Sequence, residues 1–167
     1  MSQASATTSV REGARVLVLG DGGWGTALAA LLAKNDVPTV LWSAFPEQAR
    51  ELAERRENLR FLPGVPLPTA NLEFVADPFP AAEGATLVIS AVPTQYVRDV
   101  AGRFEDALKA LPVVSVSKGL EMETFRTPSQ ILLEVLGDRP IAVLTGPSHA
   151  EEVARGLPAS VVCASQD

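Results

Sequence analysis

Between residues 20 and 25 the chain reads Gly20-Asp21-Gly22-Gly23-Trp24-Gly25. This is a G-x-G-x-x-G spacing set after a short apolar run, residues 15–19, and at the head of an Ala/Leu-rich stretch, Trp24–Lys34. A glycine at position 20 permits a tight turn, one at 22 lets a pyrophosphate approach the backbone, and one at 25 lets a helix pack closely on the strand. The first amides of such a helix have no partners inside it, and they lie at the positive end of its dipole. In the order strand, turn, helix, the pattern reads as a seat for the diphosphate of a dinucleotide rather than as a merely structural turn. Asp21 is the odd member. A carboxylate beside a diphosphate repels it, so the Asp21 side chain is expected to point away toward solvent and not to act as a ligand.

A dinucleotide site of this kind needs a group that reads the adenine ribose at the end of the second strand, roughly 20 residues beyond the glycines. Here that segment is Leu41-Trp42-Ser43-Ala44-Phe45. It offers neither an Asp or Glu for the ribose hydroxyls nor an Arg for a 2′-phosphate, so NAD and NADP both stay open. Phe45 either lies against the adenine or packs as an ordinary apolar residue. Further turns carry usable side chains: Ala91-Val92-Pro93-Thr94-Gln95-Tyr96, Ser117-Lys118-Gly119 and Thr145-Gly146-Pro147-Ser148. Lys118, between a strand and a glycine, is either an isolated surface lysine or a cation touching the substrate or nicotinamide side, and its position favours the second. Ser148-His149-Ala150-Glu151 fits the S-x-x-E capping box, so Ser148 is expected to cap the following helix, whose start also offers anion-binding amides. His149, the only histidine, has no obvious carboxylate partner and reads as structural.

These turns must be placed by regular elements. Apolar runs at 15–19, 38–42, 72–75, 85–90, 113–116, 141–144 and 159–163 read as strands. Stretches at 24–34, 46–56, 94–108, 128–136 and 150–155 read as helices, with Val97, Val100, Ala101, Phe104 and Leu108 on one helical face. Gly137 closes one helix, and a proline-rich loop spans residues 58–68. Continuous Val, Ile and Leu strands separated by helices predict a Rossmann-type doubly wound α/β fold: a mostly parallel sheet with helices on both faces. In that fold all the turns named above emerge at the carboxyl edge of the sheet, where ligands bind.

Composition narrows the class. The chain has 167 residues, 47% apolar and 20% charged, with a net charge of −6 and lysines only at 34, 109 and 118. No basic block exists for nucleic acid, and an anionic ligand must be held by backbone geometry and a few placed cations. A single cysteine, Cys163, excludes an internal disulfide, and its apolar run predicts a buried strand residue. No apolar run approaches the roughly 18 residues of a membrane span. Residues 1–14 read as a flexible leader without secretion features, which points to the cytoplasm. Residues 15–167 then form one NAD(P)-binding Rossmann domain.

The segments Gly20–Ala27, Asn58–Gly64 (N-x-x-F-L-P-G), Ala91–Gln95, Ser117–Glu121 (S-K-G-L-E) and Thr145–Ala154 (G-P-S-x-A-x-E-V-A) together resemble the NAD(P)-dependent glycerol-3-phosphate dehydrogenases of the bacterial soluble type. They follow the family's order from about residue 15 onward. The Gly-rich turn is generic to Rossmann domains, whereas the other segments are far more specific. The resemblance implies a hydride transfer from a nicotinamide cofactor, NAD or NADP, that interconverts dihydroxyacetone phosphate and sn-glycerol 3-phosphate, a glycerophospholipid precursor. It implies cofactor contacts at Gly20, Gly22, Gly23, Trp24, Gly25, Phe45, Pro93, Tyr96, Lys118 and Ala150, and substrate contacts at Lys118, Gly146 and Ser148. Many family members carry Arg or His where Ala44 and Phe45 stand here, which weakens the case for NADP. The resemblance also implies that the proton-transferring lysine belongs to a helical substrate domain C-terminal to residue 167, that no catalytic residue lies in this chain, and that a homodimer is open to the full-length parent. Two alternatives remain: a related dehydrogenase for another small carbonyl compound, and an NAD-sensing regulatory module.

Overall fold

The computed structural model describes residues 13–108 and 111–166. The expected leader lies outside them apart from Gly13 and Ala14. Six strands run parallel: β1 (Val16–Leu19), β2 (Thr39–Trp42), β5 (Leu72–Val75), β6 (Leu87–Ser90), β7 (Val113–Ser115) and β8 (Ile141–Thr145). A seventh, β9 (Val162–Ser165), pairs antiparallel with β8, so the sheet order is β5-β2-β1-β6-β7-β8-β9. The order reverses between β1 and β6. That crevice is the switch point at which doubly wound sheets bind ligands.

The helices cover both faces, as the continuous apolar strands require. Alternate side chains of β1 serve opposite layers. Leu17 and Leu19 join Val40, Trp42, Phe104, Ile131 and Leu132 under α3 (Pro78–Ala82), α4 (Val97–Phe104) and α5 (Pro128–Leu136). Val16 and Val18 join Leu28, Ala29, Leu41 and Leu52 under α1 (Gly23–Lys34) and α2 (Pro46–Arg55). In the first layer the rings of Trp42 and Phe104 meet edge-on, 5.0 Å between centroids. A further short helix, α6 (Ala150–Ala154), lies against α1, and Lys34 Nζ donates to Ala154 O at 3.1 Å.

Several elements depart from the sequence reading. The loop expected over residues 58–68 contains a small antiparallel hairpin, β3 (Glu57–Asn58) with β4 (Leu62–Pro66). The helix expected over 94–108 begins as a 3-10 turn, Thr94–Tyr96, because the Tyr96 amide bonds to Pro93 O rather than one residue further back. Cys163 is exposed, not buried. The last strand starts three residues later than its apolar run suggests and lies at the sheet edge, where every residue of β9 is exposed. Ser148 does not cap α6. His149 occupies the N-cap without a side-chain bond, and Ser148 instead donates its amide to Gly146 O at 3.1 Å. The capping box forms on α5, between Thr127 and Gln130.

Candidate dinucleotide and substrate edge

Each of the three motif glycines has a different physical reason. Gly20 has φ +102°, and a Cβ there would lie 2.9 Å from Ala91 O, so the turn sits against the segment after β6. At Gly25 a Cβ would fall inside the contact shell of Gly20 O, which is why α1 approaches β1 so closely. Gly22 faces nothing within 4 Å and has an ordinary extended backbone, φ −64° and ψ 175°. Neither strain nor packing explains a glycine at 22; space for an outside group does. No side chain caps α1 and no acid lies in its first turn, so its first amides face that space. Open space beside unpaired amides at a helix start can admit a diphosphate.

The neighbouring walls are set by contacts the sequence did not disclose. Asn58, fully buried, donates from Nδ2 to Asp21 O and to Thr26 Oγ1, both at 2.8 Å, and accepts from the Phe61 amide at 3.1 Å. The hairpin thereby holds the Gly-rich turn from the side. A Cβ on Gly23 would meet Phe61 O at 2.7 Å and Ala150 Cβ at 3.6 Å, so Gly23, Phe61 and Ala150 form one wall. Trp24 turns its indole into the packing around α1 and α6, among Leu28, Leu144 and Ala27. What it can offer a ligand is its backbone amide. Asp21 is not directed freely to solvent: its Oδ2 accepts from Ser43 Oγ at 2.8 Å, at the end of β2.

On the other flank, Pro93 and Tyr96 follow β6, and Lys118 follows β7. Tyr96 is 61% exposed, as is Phe45 at 62% on the β2 flank. Phe45 and Lys118 are thus not brought together. Three strand spacings separate their strands, about 14 Å, a span suited to an extended two-nucleotide ligand and not to a compact one. Among the described residues the Lys118 ammonium makes no hydrogen bond or ion pair, whereas its backbone is tightly held. Thr94 Oγ1 donates to Lys118 O at 2.6 Å, Gln95 Nε2 donates to Leu120 O at 2.9 Å, and Gln95 Oε1 accepts from the Met122 amide at 3.0 Å.

Three residues beyond Lys118, Glu121 takes a bidentate bond from Arg98 Nε and Nη2, at 3.0 and 2.9 Å, and accepts from Thr124 Oγ1. The Arg98 bonds, then the Thr124 bond, hold the Glu121 carboxyl down to about 2 from an ordinary 4.5. The Glu121 bond, with a smaller push from Glu134, raises Arg98 above its ordinary value. Because the folded value of Glu121 lies below the unfolded one, the pairing stabilises the fold fully above about pH 4.5 and is lost as pH falls toward 2. Glu121→Gln is expected to flatten the stability profile across that window, read by denaturant melts at stepped pH; an unchanged slope would contradict this role.

Gly146 and Ser148 sit beyond β8, at the same edge. The glycine has a packing reason of its own: with φ +154°, a Cβ would lie 2.6 Å from Ser160 O. The Ser148 hydroxyl has no protein partner among the described residues. His149 is exposed at the start of α6. Among the described residues no group of three or more His, Cys, Asp or Glu is placed to hold a metal ion.

Comparison with known proteins fits this geometry. Residues 15–167 match the family model described as NAD-dependent glycerol-3-phosphate dehydrogenase N-terminus. The chain is similar to glycerol-3-phosphate dehydrogenase (NAD(P)+) of Moorella thermoacetica, 49% identical over 153 residues, covering 91% of this chain and 45% of that one. It is also similar to the glycosomal NAD(+) enzyme of Trypanosoma brucei brucei, 41% identical over 169 residues, covering 98% of this chain and 47% of that one. Its fold matches the crystal structure of glycerol-3-phosphate dehydrogenase from Coxiella burnetii with TM-score 0.86 and 34% identity, over 92% of this chain and 47% of that chain. The chain spans a little under half the length of these relatives. A turn shaped for a diphosphate, a switch-point crevice beside it and a family match across residues 15–167 agree, and the chain belongs to the NAD(P)-dependent glycerol-3-phosphate dehydrogenase family, matching its N-terminal, NAD-binding part.

Proposed function

We propose that residues 15–167 are the nicotinamide-dinucleotide-binding domain of an enzyme that interconverts dihydroxyacetone phosphate and sn-glycerol 3-phosphate. The observation that carries this is the open space at Gly22, next to two motif glycines that packing alone requires. A bound nicotinamide supplies the hydride for the ketone carbon. The chain's own part is to bind and orient. Backbone amides from Gly22 to Gly25 hold the diphosphate, with Gly20 shaping the turn and Ala150 closing its side. Phe45 flanks the adenosine end, while Pro93 and Tyr96 flank the nicotinamide end. Lys118 places one positive charge between cofactor and substrate, and Gly146 and Ser148 line the substrate side.

Reduction of a ketone also needs a proton, and we assign its donor to a helical domain outside these 167 residues. The 167-residue chain is then expected to bind NADH without oxidising it in the presence of dihydroxyacetone phosphate. Lys118→Met is expected to weaken NADH binding about fivefold, the scale of one exposed charge contact, with an unchanged melting temperature. Calorimetric titration beside an absorbance assay tests both. Sustained turnover by the chain would refute the domain division, and no NADH binding at all would refute the function. Among the described residues no helix is long and apolar enough to cross a membrane.

A further inference from the structure

The end of β2 carries no acid, and by sequence alone the choice between NAD and NADP stays open. The structure puts an acid there from elsewhere. Asp21, inside the Gly-rich turn, reaches across to Ser43, the first residue after β2, and its Oδ2 accepts the Ser43 hydroxyl at 2.8 Å. Ser43 is itself buried and anchored: its Oγ also accepts from the Phe45 amide at 3.2 Å, and its own amide donates to Val75 O at 2.9 Å. From the other side Asn58 holds the Asp21 carbonyl. The carboxylate is therefore fixed at both ends of its short chain, and Oδ1 has no protein partner among the described residues.

Ser43 lies 22 residues beyond Asp21, which is where a Rossmann domain of this order reads the adenine ribose. We propose that Asp21 acts as the ribose-reading acid, supplied by the turn instead of the strand, and so selects NAD over NADP. This rests on the dinucleotide reading above. A free carboxylate oxygen accepts from a ribose 2′-hydroxyl, and the same charge repels a 2′-phosphate. The strand end itself, Ser43-Ala44-Phe45, carries no compensating cation. The nearest arginine in sequence is Arg50, in the second turn of α2; Arg55 pairs with Glu51, Arg56 donates to Pro68 O and Leu72 O, and the Arg60 guanidinium lies over the Phe61 ring at 4.8 Å. Asp21 keeps clear of the diphosphate for the same reason that it reaches the ribose: its side chain is drawn along the edge toward β2.

The test is titration of the chain with NADH and with NADPH, at low and at high salt, for the native protein and for Asp21→Asn. The amide keeps an acceptor for Ser43 and removes the charge. The native chain is expected to bind NADH at least about tenfold more tightly than NADPH at low salt, and the ratio should shrink as salt screens the repulsion. Asp21→Asn is expected to lower the ratio by about tenfold, mostly through tighter NADPH binding. A native preference for NADPH, a ratio independent of salt, or a ratio unmoved by the substitution overturns the proposal. The first two need only the native chain, so a poorly folding variant does not shield the idea. Binding of neither nucleotide would overturn the dinucleotide reading as well, an outcome distinct from both nucleotides binding without discrimination.

Discussion

Gly25→Ala is expected to destabilise the domain by about 3 kcal/mol, the upper end of what overpacking costs, and to remove NADH binding with it. The added methyl has nowhere to go. It would fall inside the shell of Gly20 O, backbone of the turn itself, and it would press on Ala91 Cβ at 3.2 Å. Relief requires lifting α1 off β1, which opens the layer holding Leu28 and Ala29 against Val16 and Val18. Gly22→Ala provides the contrast. Its backbone suits any residue and its surroundings are open, so stability should stay within about 1 kcal/mol of the native value. NADH affinity should still fall by at least about tenfold, because the methyl takes the space meant for the diphosphate. Denaturant melts and titrations of the two variants separate fold from site. If Gly22→Ala binds NADH as tightly as the native chain, the seat is elsewhere.

The second large effect is expected at Asn58. Asn58→Leu keeps the side-chain volume and deletes three hydrogen bonds, leaving the Phe61 amide without its acceptor and the Asp21 carbonyl with only the longer bond from Thr26 Oγ1 at 3.2 Å. Unsatisfied buried groups cost about 1–3 kcal/mol each, and partial relaxation brings the expected loss to about 3 kcal/mol. The shift should appear in the denaturant midpoint with an unchanged slope. Affinity for NADH should fall too, because the Gly-rich turn loses its lateral support while α1 and β1 stay in place. A stable variant with native affinity would show that the hairpin merely covers the turn and does not hold it.

Much of the fold was legible in the chain itself. Runs such as Val16–Leu19 and Leu87–Ser90 are apolar at every position, and only a strand covered on both faces tolerates that. The glycine spacing, set between such a run and an Ala-rich helix, is a local pattern with a local cause: Gly20 and Gly25 touch within the same turn. The family resemblance likewise rests on contiguous segments, and the match over residues 15–167 agrees with it.

The misreadings share one feature: each depended on what lay opposite. Cys163 sits in an apolar run, yet its strand is the sheet's last, and nothing described packs over it. Ser148 fits a capping box in spacing, but its amide folds back on Gly146 and the cap position passes to His149. Asp21 was expected to turn to solvent because its repulsion by a diphosphate is visible in sequence, whereas its partner Ser43 lies 22 residues away. The side chains that frame the edge belong to the same class. Asn58 reaches back 37 residues to Asp21, and Arg98 spans 23 to clamp Glu121 beside Lys118.

By itself, then, the order of residues determined the parallel sheet, the glycine turn and the family, since periodicity and glycine sterics act over one or two turns of chain. Only the tertiary structure decided which polar groups meet at the carboxyl edge. Those meetings depend on strand order, which brings together side chains that no local pattern relates.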